Sequence, residues 1–308
     1  MNSVTVETLL TTIFVLVDDW YQQHGHWLRP ELPGPAVSFS ESEVLTLLLA
    51  MDYFPYPGEA QFIGFIRANY LALFPQLLEQ SQFNRRARRV SGLLEALRRS
   101  WVDSLGATFE DTLLLDTKPV PVVGYKRSKR HSDFEGDANY GVCASRKLKY
   151  FGYKLVVAST LSGVPLIYAL VPANTDERAA AEAVLFDIKG CVILSDKGFI
   201  GDEWQDEVAR ATGNRIFTPQ RCNQHQQSPP AFIRLLNHFR ERIEGLFNEV
   251  QNTGRHLERL LRKKRDGLHL HVVAKMASHT LRLLLQKRFG IDVLTFEQRP
   301  VRLNFALT

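Results

Sequence analysis

Two aspartates close apolar runs in this chain: Asp116 in "LLLDTKPVPV" and Asp196 in "VILSD", the latter followed directly by "KGF". Desolvating a carboxylate at the tip of a hydrophobic strand costs roughly several kcal/mol unless something compensates it, and Mg²⁺ is a strong compensator. If the two strands are sheet neighbours, both acids project near one edge, where ligands gather in open α/β sheets. A third acid from a helix would complete a cage for two metal ions. Glu244 in "HFRERIEGLFNEVQN" is the best candidate. At about 100° per residue, Arg240 and Asn248 lie within roughly 40° of it, and Ile243, Leu246 and Phe247 form a packing stripe. Glu241, roughly 60° away, is the main rival, and Glu249 points elsewhere. Two ions about 4 Å apart, one activating an attacking oxygen and one stabilising a leaving oxygen, are suited to phosphodiester chemistry. Mg²⁺, with Mn²⁺ able to substitute, is therefore expected at Asp116, Asp196 and Glu244.

Ahead of the strands that must hold these acids, the chain is helical up to about residue 105. "SFSESEVLTLLLAMDYF" offers Ser40 as N-cap with Glu43 three residues on. Further helices are expected over 60–70, 72–80 and 84–103. From 111 the period becomes that of strands: "TLLLDTKPVPVV", "YFGYKLVVAST" and "VPLIYALVPAN", then a helix "DERAAAEAVLFDI", the strand "CVILSD", a helix "DEWQDEVARAT" and a short strand "RIFTPQ". This order makes an α/β fold with a mixed sheet, three antiparallel strands followed by two parallel ones, flanked by helices. Helices resume over about 231–265 and 269–289. The expected divisions are a helical N-terminal DNA-binding region (1–108), a catalytic domain (109–265) and a helical C-terminal extension (266–308).

With 45% apolar and 23% charged residues over 308 positions, the chain reads as an ordinary globular protein rather than a disordered one. The apolar run over residues 8–17 meets Asp18 and Asp19 well short of the ~20 residues of a membrane span, so a core helix is expected and no membrane partner. Cys143, Cys191 and Cys222 form no C-x-x-C pair; buried thiols in a reducing cytosol are the expectation. Trp20, Trp27, Trp101 and Trp204 are read as core. Residues 245–308 carry 12 basic and 5 acidic side chains, which makes a polyanion a natural partner.

The aspartate of the first strand, the aspartate of the fourth followed by "KGF", and the "R-x-x-x-E" of Arg240 and Glu244 on a late helix resemble the DDE transposases of bacterial insertion sequences. "SEVLTLLLA", "FNRRARR" and "YFGYKLVV" are similar to the insertion-sequence group numbered nine hundred and eighty-two, over roughly residues 40–262. The resemblance implies an RNase H-like core in which Asp116, Asp196 and Glu244 bind Mg²⁺, cut at the terminal inverted repeats of the element and transfer the 3′ ends to target DNA. It also implies a working homodimer, because two ends must meet, and a cytoplasmic, nucleoid-associated location. In relatives with a fuller Y-R-E-K signature a tyrosine precedes the arginine and a lysine follows the glutamate. Asn237 and Gln251 stand in those places here, so hairpin-type end processing does not follow.

Several basic clusters suit DNA. Arg85, Arg86, Arg88 and Arg89 crowd one or two turns of an otherwise acidic segment, either a solvated helix face or a phosphate-contacting one. Lys126, Arg127, Lys129 and Arg130 lie in the long connection after the first strand, with Arg146, Lys147 and Lys149 at its far end, placed to position DNA near Asp116. Arg262, Lys263, Lys264 and Arg265 end the helix of Glu244, where they are placed to hold DNA backbone, and Arg240 lies on it. Asp133, Glu135 and Asp137 read as surface acids. Two rival functions stand beside the transposase. One is a Mg²⁺-dependent phosphohydrolase, suggested by "GDEWQD" but opposed by Lys118, which sits where a second aspartate is needed. The other is a catalytically silent, transposase-derived DNA-binding protein.

Overall fold

The computed structural model describes residues 2–28, 37–123, 134–143, 147–219, 229–254, 256–257 and 264–296. In chain order the elements are β1 (Asn2–Val4), α1 (Val6–Trp20), a π-helical turn, α2 (His26–Leu28), α3 (Glu41–Ala50), α4 (Glu59–Asn69), α5 (Gln80–Arg89) and α6 (Ser91–Ser104). There follow β2 (Thr112–Val123), β3 (Asn139–Cys143), β4 (Leu148–Thr160), β5 (Pro165–Pro172), α7 (Glu177–Leu185), β6 (Val192–Ser195), α8 (Asp202–Thr212), β7 (Arg215–Phe217), α9 (Pro230–Asn252), α10 (Arg265–Phe289) and β8 (Ile291–Phe296).

Local chemistry sets most of these boundaries. At the start of α3 the Ser40 N–H donates to Glu43 Oε2 at 2.6 Å and the Glu43 N–H to Ser40 Oγ at 3.1 Å, the reciprocal capping expected there. No helix forms over 72–80: Pro75 disfavours helical backbone at Phe74, and the segment runs as successive turns until Gln80. The helix expected over 84–103 is two, α5 and α6, which meet at the buried Val90. α9 stops at Asn252 rather than continuing to 265. Gly254 follows at φ +44°, and a Cβ there would lie 2.6 Å from the Asp52 backbone, so only glycine permits this approach.

The sheet has the order β5-β4-β2-β6-β7, with β2 antiparallel to β4, β4 antiparallel to β5, and β2, β6 and β7 parallel. That is the RNase H-like arrangement of three antiparallel and two parallel strands. β3, inside the connection read as loop, pairs with the first five residues of β4, and β5 with the next seven. Beyond Asp116, β2 therefore continues into an arm with β4 and β3. Gly152 lets β4 cross close to β2 there, since a Cβ on it would sit 2.1 Å from the Val120 carbonyl.

Alternation of side chains sorts the core onto two faces. Leu113, Leu115, Val156, Ala158 and Ile193 pack under α7 and α8; Leu114, Leu155, Val157 and Leu194 pack under α9 with part of α10. A third core joins α1, α3, α4, α5 and α6 with the other side of α10 through Leu270, Val273, Ala277, Leu281 and Leu284. The segment expected as a C-terminal extension thus runs between the helical region and the sheet, and β8 returns to pair with β1. α1 is the expected core helix, burying Leu9, Leu10, Ile13 and Val17, and no described helix is long and apolar enough to cross a membrane. Of the four tryptophans read as core, Trp27 is instead 80% exposed. Cys143 and Cys191 are half-buried rather than buried, and Cys222 lies outside the described residues.

Candidate active site

β2 and β6 run side by side, paired up to Leu115 and Ser195, and each then delivers its aspartate. Asp116 shares the parity of Leu114 and so projects on the α9 face of the sheet. It is half-buried, and its Oδ1 accepts from the Thr117 N–H at 2.7 Å. Burial pushes its carboxyl up to about 7. The Thr117 N–H and the charge of Arg240 act downward, and Asp196 and Glu177 add to the rise. Asp196 starts the tight turn Lys197–Phe199 and accepts from the Gly198 N–H at 2.7 Å. The turn is closely flanked: a Cβ on Gly198 would lie 3.0 Å from Asp196 Oδ1 and 3.4 Å from Glu177 Cγ.

Glu177 is a residue that sequence reasoning missed. It opens α7 directly after the N-cap Asp176, whose side chain accepts from the Arg178 N–H at 3.0 Å. Its Oε2 accepts from Thr117 Oγ1 at 2.9 Å, and its Oε1 pairs with Lys154 Nζ at 3.0 Å. Lys154 also donates to the Thr175 carbonyl at 2.7 Å. The available signal was the helix start at "TDE" immediately after the third strand, which puts an acid at the same sheet edge.

Glu244 stands on α9, whose Ile243, Leu246 and Phe247 are buried against the sheet. Its side chain is 62% exposed and pairs with Arg240 at 3.7 Å. Arg240 is the electrostatic link across the site, since the same guanidinium acts on Asp116. Glu241 is exposed, and Glu249 turns away to His279 Nδ1 at 3.1 Å and to Arg282. Carboxylate oxygens are the hard donors that Mg²⁺ and Mn²⁺ take, and a half-buried Asp116 favours a cation beside it, so the donor chemistry fits a divalent ion. Among the described residues, no group of three or more His, Cys, Asp or Glu is gathered closely enough to hold one. The structure draws Asp116 and Asp196 together and leaves Glu244 on the open flank of α9.

The basic residues divide in the same way. Arg85 and Arg89 are exposed, whereas Arg86 is drawn inward, bonded to Glu41 Oε1 at 2.9 Å and to the Phe39 carbonyl. Arg88 is half-buried with its Nε out of reach of water. Lys147 and Lys149 are exposed beside the β2–β4 arm. Lys264 and Arg265 begin α10 rather than ending α9, and Arg265 Nε pairs with Asp137 at 3.1 Å. Asp137, read as a surface acid, also accepts from Tyr153 Oη at 2.5 Å and ties the arm to α10. Lys126, Arg127, Lys129, Arg130, Asp133, Arg146, Arg262 and Lys263 lie outside the described residues.

The family described as the transposase DDE domain matches residues 107–281, from just before β2 into α10. No curated protein matches the chain. Among solved structures, the crystal structure of the Mos1 strand transfer complex aligns over 87% of this chain and 85% of that one, at 15% identity and a TM-score of 0.23. So low a score carries no argument.

Proposed function

The chain belongs to the transposase DDE domain family, and from that premise we propose that it is a metal-dependent DNA transposase. It acts on double-stranded DNA, binding the terminal inverted repeats of its element, cutting at the ends and transferring the 3′ ends to target DNA. Asp116, Asp196 and Glu244 are the residues assigned to catalysis and to Mg²⁺, with Mn²⁺ as substitute. The observation that carries the reading is the delivery of Asp116 and Asp196 side by side from adjacent parallel strands, with the helix of Glu244 packed across the same face.

Two divalent ions would activate the attacking oxygen and stabilise the leaving oxygen at the scissile phosphate. The chain's own residues hold the geometry. The Thr117 and Gly198 N–H groups each fix one oxygen of an aspartate, Oδ1 of Asp116 and Oδ1 of Asp196. Arg240, paired with a largely exposed Glu244, can exchange that partner for a DNA phosphate. Lys147, Lys149, Lys264 and Arg265, with Lys126, Arg127, Lys129, Arg130, Arg146, Arg262 and Lys263, are proposed to hold the DNA backbone, and Arg85 and Arg89 a terminal repeat. Because two ends must be joined, the working complex is proposed to be a homodimer.

Cleavage of a duplex containing the element's ends, with Mg²⁺ present, tests the assignment. Asp196→Asn and Glu244→Gln should abolish cutting while sparing DNA binding, because loss of negative charge does not weaken phosphate contacts. Undiminished cleavage by either variant removes that residue from the site.

A further inference from the structure

We propose that Glu177 is a positioning residue for the Asp116–Asp196 pair, acting through Thr117 on one strand and through the Gly198 turn after the other. The proposal rests on the reading of this pair as the metal-binding centre. Thr117 has two roles at once: its N–H holds Asp116 Oδ1 at 2.7 Å, and its hydroxyl, on the opposite face of the strand, donates to Glu177 Oε2 at 2.9 Å. Any shift of Glu177 therefore moves the residue that orients Asp116. On its other side, the Glu177 methylenes bound the space above Gly198, whose N–H holds Asp196 Oδ1 at 2.7 Å. One side chain from α7 bonds the support of one aspartate and borders that of the other.

An acid in the first turn of a helix is ordinarily explained by the helix dipole, worth about 0.3–1 kcal/mol when exposed. That explanation requires no partner, and an acid there could point to solvent. Glu177 instead has its two oxygens engaged separately, one by Thr117 and one by Lys154, and Lys154 is itself anchored to the Thr175 carbonyl. Placing a negative group beside two aspartates is electrostatically adverse, and the Lys154 ammonium offsets it from the side away from the pair. Both Glu177 oxygens are thereby occupied on the α7 face, whereas Asp116 projects on the α9 face. This favours support over direct metal ligation.

Groups that orient metal-binding carboxylates typically govern affinity by about 10–100-fold. The test is calorimetric titration of Mn²⁺, to millimolar concentration, into the full chain and into Thr117→Val, Thr117→Ser, Glu177→Ala and the double variant Thr117→Val/Glu177→Ala, with Asp116→Asn as control. Thr117→Val should weaken Mn²⁺ binding about 10-fold and Glu177→Ala at least as much, the double variant no more than Glu177→Ala alone, and Thr117→Ser should bind as the wild type does. Thr117→Val removes one hydroxyl from a paired strand, so the test survives if Glu177→Ala fails to fold. Unchanged affinity in folded Thr117→Val, or losses that add in the double variant, overturns the proposal while a weakened Asp116→Asn leaves the underlying reading standing. Absence of Mn²⁺ binding by the wild type, or undiminished binding by Asp116→Asn, sinks the carboxylate-pair reading and this proposal with it.

Discussion

Glu95 on α6 and Asp116 at the end of β2's buried run are both carboxylates drawn out of water, and burial pushes both upward. Glu95 nonetheless ends below its ordinary range, because Arg98 donates Nε at 2.8 Å and Nη2 at 2.7 Å, Tyr168 donates its hydroxyl at 2.7 Å, and Arg99 adds a further bond. Asp116 stands at about 7. The same contrast recurs across the molecule. Asp52 has Lys275 at 3.4 Å with both side chains buried, and Glu249 has His279 and Arg282. Among the described residues, neither Asp116 nor Asp196 has an ion pair. At Glu95, Asp52 and Glu249 the withdrawn acid faces a fixed cation; at the sheet edge positive charge is short. Such a deficit is what a divalent ion would fill.

The harshest way to break this contrast is to make Glu95 resemble Asp116. Arg98 is buried and also donates to the Pro165 carbonyl at 2.6 Å, joining α6 to the edge strand β5. Arg98→Ala should cost about 3–5 kcal/mol, the usual result of leaving one partner of a buried pair behind, read as a lower urea midpoint. A loss under about 1 kcal/mol would mean that the guanidinium is dispensable to the packing of the two halves.

The converse change makes Asp116 neutral. An unfolded aspartate titrates near 3.9 and the folded one at about 7, so between these values the native state holds a proton that the unfolded chain releases. Stability of the metal-free protein therefore falls as pH rises through this window, and the loss is complete above it. Asp116→Asn should exceed the wild type by on the order of 2 kcal/mol at pH 8, a value reduced for partial solvent screening, with the difference vanishing toward pH 4. Equal stabilities at both pH values would show that the carboxylate is not disfavoured by its surroundings.

The strands that carry the site were legible because their apolar runs are local: β2, β4, β5, β6 and the helix α8 stand where the residue pattern places them. So was the neighbourhood of Asp116 and Asp196, which follows from strand order. Glu177 was not, since its partners Lys154 and Thr117 lie 23 and 60 positions away and only the folded sheet brings them under α7. β3 was lost because five residues inside a long basic connection give too little alternation to separate strand from loop. α10 looked peripheral because its sequence mixes polar and apolar residues on all sides; its Lys275 and His279 find Asp52 and Glu249 only once α3 and α9 are in place.

The smallest expected effect sharpens the comparison within a single helix. The four arginines of α5 look alike in sequence, yet Arg86 is fixed to Glu41 and the Phe39 carbonyl whereas Arg89 stands in water. Arg86→Ala should lower stability by about 1–3 kcal/mol, since the nearly buried Glu41 loses a charged donor. Arg89→Ala should change stability by less than about 0.5 kcal/mol. If Arg89 touches a terminal repeat, its removal should flatten the plot of log affinity against log salt by about one unit and weaken all sequences alike, as expected for a phosphate contact. Loss of stability in Arg89→Ala, or an unaltered salt slope, would place the DNA-binding face elsewhere on the helical region. The distinction matters because Arg86 has already committed donors to the part-buried Glu41 and the Phe39 carbonyl, whereas the exposed Arg89 can turn its donors to phosphate.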